Sequence, residues 1–150
     1  MSNIRRNADK FAFEMIIERG KIREFARATK SKNPEFLEGP CPIIPPTFLA
    51  SATFWQDESV SPWRSGALQT DRLLHGEQTY IFYAEPPRAG QVLSGNTRLG
   101  RTFEKNGKRG GLLKFTEVIT EFRSDKGNLV AESISTLIET SKSTTETTEP

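Results

Sequence analysis

Cysteine is nearly absent from this chain. Cys41 is the only one among 150 residues, so neither a disulfide framework nor a cysteine-based metal site can be assembled, as expected in a reducing cytoplasm. Cys41 sits in a proline-rich turn and is assigned no chemistry. Histidine is as scarce, with His75 alone. No apolar run approaches the ~18 residues of a membrane-crossing helix, and the first residues lack a signal-like apolar stretch. A soluble, cytoplasmic protein without a membrane partner is expected. Charge of one sign is missing too. A net +2, with no dense Lys/Arg face interleaved with aromatics, excludes the usual footprint of nucleic-acid binding. Gly107 to Gly111 is glycine-rich but has no strand-then-helix context, so it reads as a turn and not a phosphate loop. Neither a cofactor nor a metal is expected.

What is present makes one domain, long enough to bury about two-thirds of its unfolded surface. Its centre is Pro45 to Asp57, P-P-T-F-L-A-S-A-T-F-W-Q-D. Phe48, Leu49, Ala50, Ala52, Phe54 and Trp55 fall on nearly every side of a helical wheel, which predicts a helix buried all round. The Pro-Pro step cannot continue a preceding helix, Thr47 can cap, and Gln56 to Glu58 return the chain to water.

Met1 to Ala8 is polar and reads as a flexible arm. The domain is placed at residues 9–139, and 140–150, T-S-K-S-T-T-E-T-T-E-P, reads as a disordered tail. Phe11 to Ile17 is read as a short strand. From Arg19 the period changes: Ile22, Phe25, Ala26 and Ala28 project to one side and charges to the other, predicting an amphipathic helix that ends near Lys30. Asn33-Pro34 then initiates a turn. Gln56 to Thr70 reads as a surface loop. Four β segments follow: Leu73 to Tyr83, Gln91 to Lys105 (Leu93, Thr97, Leu99 and Phe103 on one face), Leu112 to Arg123, and Leu129 to Glu139. Asn106 to Gly111 and Ser124 to Asn128 are hairpin turns, so the last three segments form an antiparallel meander. The expected class is α+β: a hot-dog fold, in which a curved antiparallel sheet wraps a central buried helix, with a dimer expected from the uncovered sheet face.

Five stretches occur in one order: F-A-R-A (Phe25 to Ala28) followed by Asn33-Pro34, P-P-T-F (Pro45 to Phe48), L-H-G-E-Q (Leu74 to Gln78), R-A-G (Arg88 to Gly90) and V-L-S-G (Val92 to Gly95). Together the chain from about Ala12 to Glu139 resembles the MaoC-like dehydratase family, most closely its branch of FAS1-like or HadA-type hydroxyacyl dehydratase subunits. The resemblance implies a dimeric hot-dog fold. It also implies addition or removal of water at a 2-enoyl or (3R)-hydroxyacyl thioester carried on coenzyme A or acyl carrier protein.

Active members of that family carry D-x-N-P-x-H after the first helix, where the Asp and His handle water and its proton. Here the window reads S-K-N-P-E-F. Ser31 replaces the aspartate and Phe36 the histidine; a neutral hydroxyl is a poor base and a phenyl ring carries no proton. The resemblance therefore implies a chain that lacks the catalytic dyad, lines the acyl pocket and pairs with a hot-dog partner bearing D-x-N-P-x-H.

Other candidates carry two readings each. His75 is a substitute base beside Glu77 or, as favoured here, a strand anchor with Gly76 allowing a bulge. Asn33 is a substrate donor or a turn-former. Glu35 and Glu38 read as solvated turn residues. Pro46, Thr47, Phe48, Phe54 and Trp55 are the substrate-binding candidates, although aromatics on a buried helix are also plain core. Lys105, Lys108 and Arg109 form a basic hairpin tip, read as solvated, that could meet carrier phosphates. The expected function is the acyl-binding subunit of a dehydratase. The alternatives are a hot-dog thioesterase, for which Asp57 and Glu58 are the nearby carboxylates, and a non-catalytic acyl-binding homodimer.

Overall fold

The computed structural model describes residues 11–57, 68–108 and 111–141. The arm read over Met1 to Ala8, most of the loop between Gln56 and Thr70 including Glu58, Arg109 of the hairpin tip, and the tail beyond Ser141 lie outside these residues.

Five strands form one antiparallel sheet: β1 (Ala12–Ile16), β2 (Leu73–Phe82), β3 (Val92–Asn106), β4 (Leu112–Arg123) and β5 (Leu129–Glu139). Their order is β1-β3-β4-β5-β2. The meander β3-β4-β5 follows from its turns. Ser124 N–H donates to the Asn128 carbonyl at 2.9 Å, and Gly127 adopts φ 79°, a left-handed conformation that glycine takes without a Cβ penalty. At the other hairpin, Gly107 N–H donates to the Gly111 carbonyl at 3.0 Å. Between β1 and β2 lie helix α1 (Arg19–Ala28), the single turn α2 (Pro34–Leu37) and a 3-10 helix (Phe48–Trp55).

Antiparallel pairing brings alternate residues of each strand to a common face. Leu93, Phe122 and Ala131 come together on the inner face with Met15 of β1, and Phe48, Leu49 and Ala52 of the 3-10 helix close over them. Ile22 of α1 and Ile44 of the proline-rich connector complete this core. A smaller cluster, Leu68, Val118 and Leu137, lies further along the same face. A curved sheet with a helix laid in its concave side is the expected hot-dog arrangement.

The central helix differs from its expected burial. Phe48, Leu49 and Ala52 are buried, but Ala50 and Thr53 are exposed and Phe54 is 81 % exposed. In a 3-10 helix residues three apart eclipse, so the eight positions fall into three columns instead of being spread around a wheel. The column of Leu49, Ala52 and Trp55 faces the sheet, while Ala50 and Thr53, though exposed, line the edge of the space left between helix and sheet. The small residues lower the mean bulk of the segment without all being inside.

Strand β3 also departs from simple alternation. Its register with β4 slips between Leu99 and Thr102, where Gly100 and Arg101 of β3 oppose Glu117 alone. Such a bulge inverts the side to which later residues point. Phe103, grouped by period with Leu93 and Thr97, is thereby turned to the outer face, where it stacks on Phe115 with centroids 4.9 Å apart. Gly100 sits in the bulge because a Cβ there would lie 2.7 Å from Ile119 Cδ1.

Beside the bulge, Arg101 Nη2 donates to Glu117 Oε1 at 2.8 Å and Arg101 N–H to Oε2 at 3.2 Å. The hydrogen bond from the guanidinium holds the Glu117 carboxyl below the usual carboxylate range. A depressed folded-state pKa gives stability that is present above the unfolded value, about 4.3, and is lost as pH falls through the folded value. Denaturation from pH 7 to 3 should show Arg101→Ala less stable than wild type above pH 5. The two should converge at the acid end.

Candidate functional site

The Ser31 to Phe36 turn, where the family resemblance would place a dyad, is built here for structure. Lys30 takes φ 57°, and Ser31 N–H returns to the Ala26 carbonyl at 2.8 Å, which ends α1. Ser31 Oγ accepts from Asn33 N–H at 3.3 Å. Asn33 caps α2: its Oδ1 accepts from Glu35 N–H at 3.0 Å, with Pro34 at the first helical position, where the missing N–H costs nothing. Phe36 is half-buried and packs against the main core. Glu35 and Glu38 are exposed. Ser31, Asn33 and Phe36 thus share one loop, but their polar atoms are used to shape it.

The other candidates are dispersed. Pro46 and Thr47 are exposed. Phe48 is fully buried, edge-on to Phe25 at 5.5 Å. Phe54 lies on the outer side of the helix, and Trp55 is half-buried against the core. Lys105 Nζ sits 5.3 Å from the Phe103 ring centre on the outer face, and Lys108 is exposed.

A cavity of about 330 Å³ opens between the 3-10 helix and the concave sheet face. Leu49, Ala52, Val118 and Phe122 form its apolar wall, and His75 is the one sequence-chosen candidate that lines it. Its other wall is polar, for a reason of register. Thr97 pairs with Thr120, Thr120 with Ser133, and Ser133 with Tyr80, so hydroxyl residues from four adjacent strands form one row across the sheet. The row lies between the two apolar clusters. Thr97 Oγ1 and Thr120 Oγ1 are 2.9 Å apart, and Gln56 Nε2, at the helix end, donates to Thr97 Oγ1 at 3.3 Å. Burial pushes the Tyr80 phenol above its ordinary value.

Next to that row, Gln78 organises the β2 edge. Its Nε2 donates to Ser133 Oγ at 2.9 Å and to the Ile134 carbonyl at 3.2 Å. A carbonyl only accepts, which fixes the amide orientation. Oε1 of Gln78 is therefore the acceptor, taking the Ser135 hydroxyl at 2.5 Å and His75 Nε2 at 3.2 Å. Since Oε1 only accepts, His75 donates to it from Nε2. The register also slips between His75 and Glu77. Gly76 suits this close approach, since a Cβ would meet Ile138 Cδ1 at 2.8 Å and the Thr136 carbonyl oxygen at 3.2 Å.

Residues of this cavity were partly missed in the sequence. In the sequence Thr97 falls on the apolar side of its strand, Gln56 reads as part of the return to water and Gln78 as the end of L-H-G-E-Q, while nothing singles out Thr120, Ser133 or Ser135. The available signal is hydroxyls at inward positions of alternating strands, which becomes meaningful only once the register is known. A larger open cleft, about 550 Å³, lies by the 124–128 turn and the start of β3. Neither space includes a residue of the Ser31 to Phe36 loop, but only the smaller one is lined by the 3-10 helix, and on that ground it is the better candidate. Among the described residues no cluster suited to a metal occurs, and no helix is long and apolar enough to cross a membrane.

Comparison with known proteins bears on the family and the fold. Residues 8–133 match the family model described as FAS1-like, dehydratase domain region. A UPF0336 protein of Streptomyces coelicolor is 37 % identical over 86 residues, covering 52 % of this chain and 57 % of that protein. The chain thus spans about half the length of the curated relatives it matches. Among solved structures, the C-terminally truncated HadBC (3R-hydroxyacyl-ACP dehydratase) complex from Mycobacterium tuberculosis superposes with TM-score 0.67 at 22 % identity, over 85 % of this chain and 93 % of that one. The ChsH1-ChsH2 complex from the same organism gives 0.63 at 14 %, over 85 % and 80 %. At those identities the likeness is one of fold. The family match covers most of the chain, and by it this protein belongs to the FAS1-like dehydratase-domain family.

Proposed function

We propose that this chain is the acyl-binding member of a (3R)-hydroxyacyl-thioester dehydratase, working in the hydration or dehydration of thioesters on coenzyme A or acyl carrier protein. It pairs with a hot-dog chain that carries the D-x-N-P-x-H dyad. One observation carries this: the dyad loop is intact as a turn but holds Ser31 and Phe36, while a cavity under the central helix remains open. A short 3-10 helix covers less of the concave face than a long helix would, and the uncovered part has room for an acyl group. The partner supplies the Asp and His that move water and proton. That HadBC and ChsH1-ChsH2 are each named as complexes of two chains supports the pairing. A thioesterase would need a carboxylate at the cavity, and its described lining has none.

Co-expression with dyad-bearing hot-dog chains, followed by hydratase assays on enoyl thioesters of graded length, tests the proposal. Activity should appear only in the mixed complex, and substitution of Leu49 by Trp in this chain should shorten the longest acyl group accepted. If this chain forms no complex and its homodimer alone binds the thioester, the non-catalytic reading replaces this one. His75→Ala should leave kcat of the complex within about threefold, since a strand-anchoring hydrogen bond contributes only ~1 kcal/mol. A loss of activity with assembly and stability intact would instead make His75 a base.

A further inference from the structure

The cavity's polar row narrows the kind of acyl group it suits. Hydrocarbon alone would match Leu49, Ala52, Val118 and Phe122, but the opposite wall is built from hydrogen-bonding groups. Their donors and acceptors can be counted. Thr97 and Thr120 share one hydroxyl hydrogen across their 2.9 Å contact, which leaves the second to donate elsewhere. Ser133 accepts from Gln78 and keeps its own O–H to donate. Gln56 uses one Nε2–H on Thr97 and retains another. Three donors from the 3-10 helix, the Thr97–Thr120 pair and β5 thus remain after these side-chain bonds are made. Ser135 and Gln78 are already committed to each other. The row therefore offers free donors beside hydroxyl oxygens that can also accept, and the cavity lining contains no Asp, Glu, Lys or Arg to attract a charged group. Buried donors left without an acceptor are costly, so a bare methylene chain laid across this row is penalised.

We infer that the cavity takes an acyl chain carrying an internal hydrogen-bond-accepting oxygen, as a keto or hydroxyl group, which Gln56, Ser133 and the Thr97–Thr120 pair would bind. This rests on the acyl-binding role proposed above and deepens it, because it assigns this chain selectivity for oxygenated over plain acyl groups. The apolar wall holds the carbon chain on one side while the row reads its oxygen from the other. An acyl group with a hydrogen-bonding partner gains, and one without it leaves the site's own polar groups unpaired.

The test is titration of the full chain, isotopically labelled, with N-acetylcysteamine thioesters of octanoic acid and of its 4-oxo, 6-oxo and 6-hydroxy derivatives. Amide and side-chain NMR signals report the site. At least one oxygenated probe should bind about tenfold tighter than the octanoyl probe, as one net hydrogen bond provides. Shifts should centre on Gln56, Thr97 and Ser133. In Thr97→Val/Ser133→Ala the advantage should fall to about onefold. Gln56→Leu, at the helix end, provides the same reading should the double variant not fold. Octanoyl binding as tight as every oxygenated probe overturns this inference and leaves the acyl-binding role standing. Binding of no probe overturns both.

Discussion

Assayed alone, the chain is expected to hydrate crotonyl and longer enoyl thioesters at least a hundredfold more slowly than its complex with a dyad-bearing hot-dog chain. General acid–base catalysis contributes about 10²- to 10⁴-fold, or ~2.7–5.4 kcal/mol of barrier. In the proposed pairing both groups come from the partner. Ser31 cannot act as a base near neutral pH, and its oxygen already takes the Asn33 N–H. Phe36 has no proton to exchange and is held against the core. His75 stands on β2 with its Nε2 on Gln78 Oε1, and one imidazole without a second group to deliver the water does not replace a pair. Comparison of initial rates for the lone chain, the lone partner and the mixture checks this. Robust turnover by the lone chain would defeat the proposed division of labour.

The second large effect concerns the packing that holds the cavity open. Phe122 is fully buried, meets Phe13 edge-on at 6.2 Å, and forms part of the cavity wall. Phe122→Ala should cost about 3–5 kcal/mol, because the ring is lost and the surroundings cannot fill its space. That is a large share of a domain's ~5–15 kcal/mol total. The same stack contains a second constraint. A Cβ on Gly95 would lie 2.1 Å from Phe13 Cζ, so the phenyl ring lies directly on the glycine. Gly95→Ala should cost about 1–3 kcal/mol by overpacking. Because the clash is with one ring, Phe13→Leu should absorb part of it, and the double variant should be more stable than the sum of the two single losses. Urea denaturation at constant m measures all three. Strict additivity would show that Gly95 matters for its backbone and not for the ring above it.

Much of the fold was legible because its signals are local. Leu112 to Arg123 and Leu129 to Glu139 were bounded by turn residues, and β4 and β5 begin and end there. The switch in period at Arg19 gave α1, and Asn33-Pro34 gave the cap of α2. The bulge expected at Gly76 is present because glycine inside a strand marks close approach. Other features depend on distant partners. Phe103 changes face through a bulge whose cause is the approach of Ile119 to Gly100. Phe54 stands outside because a short 3-10 helix offers only some of its columns to the sheet. Hydropathy along the chain contains neither fact.

By itself the amino-acid sequence determined the order of strands and helices, the family, and the S-K-N-P-E-F window at Ser31 to Phe36, since each is written in contiguous residues. The tertiary structure alone decided where the candidate cavity lies. Thr97, Thr120, Ser133 and Tyr80 are far apart along the chain, and only strand register sets them in one row. Register is a property of paired strands: a shift of one residue would send those hydroxyls to the opposite face.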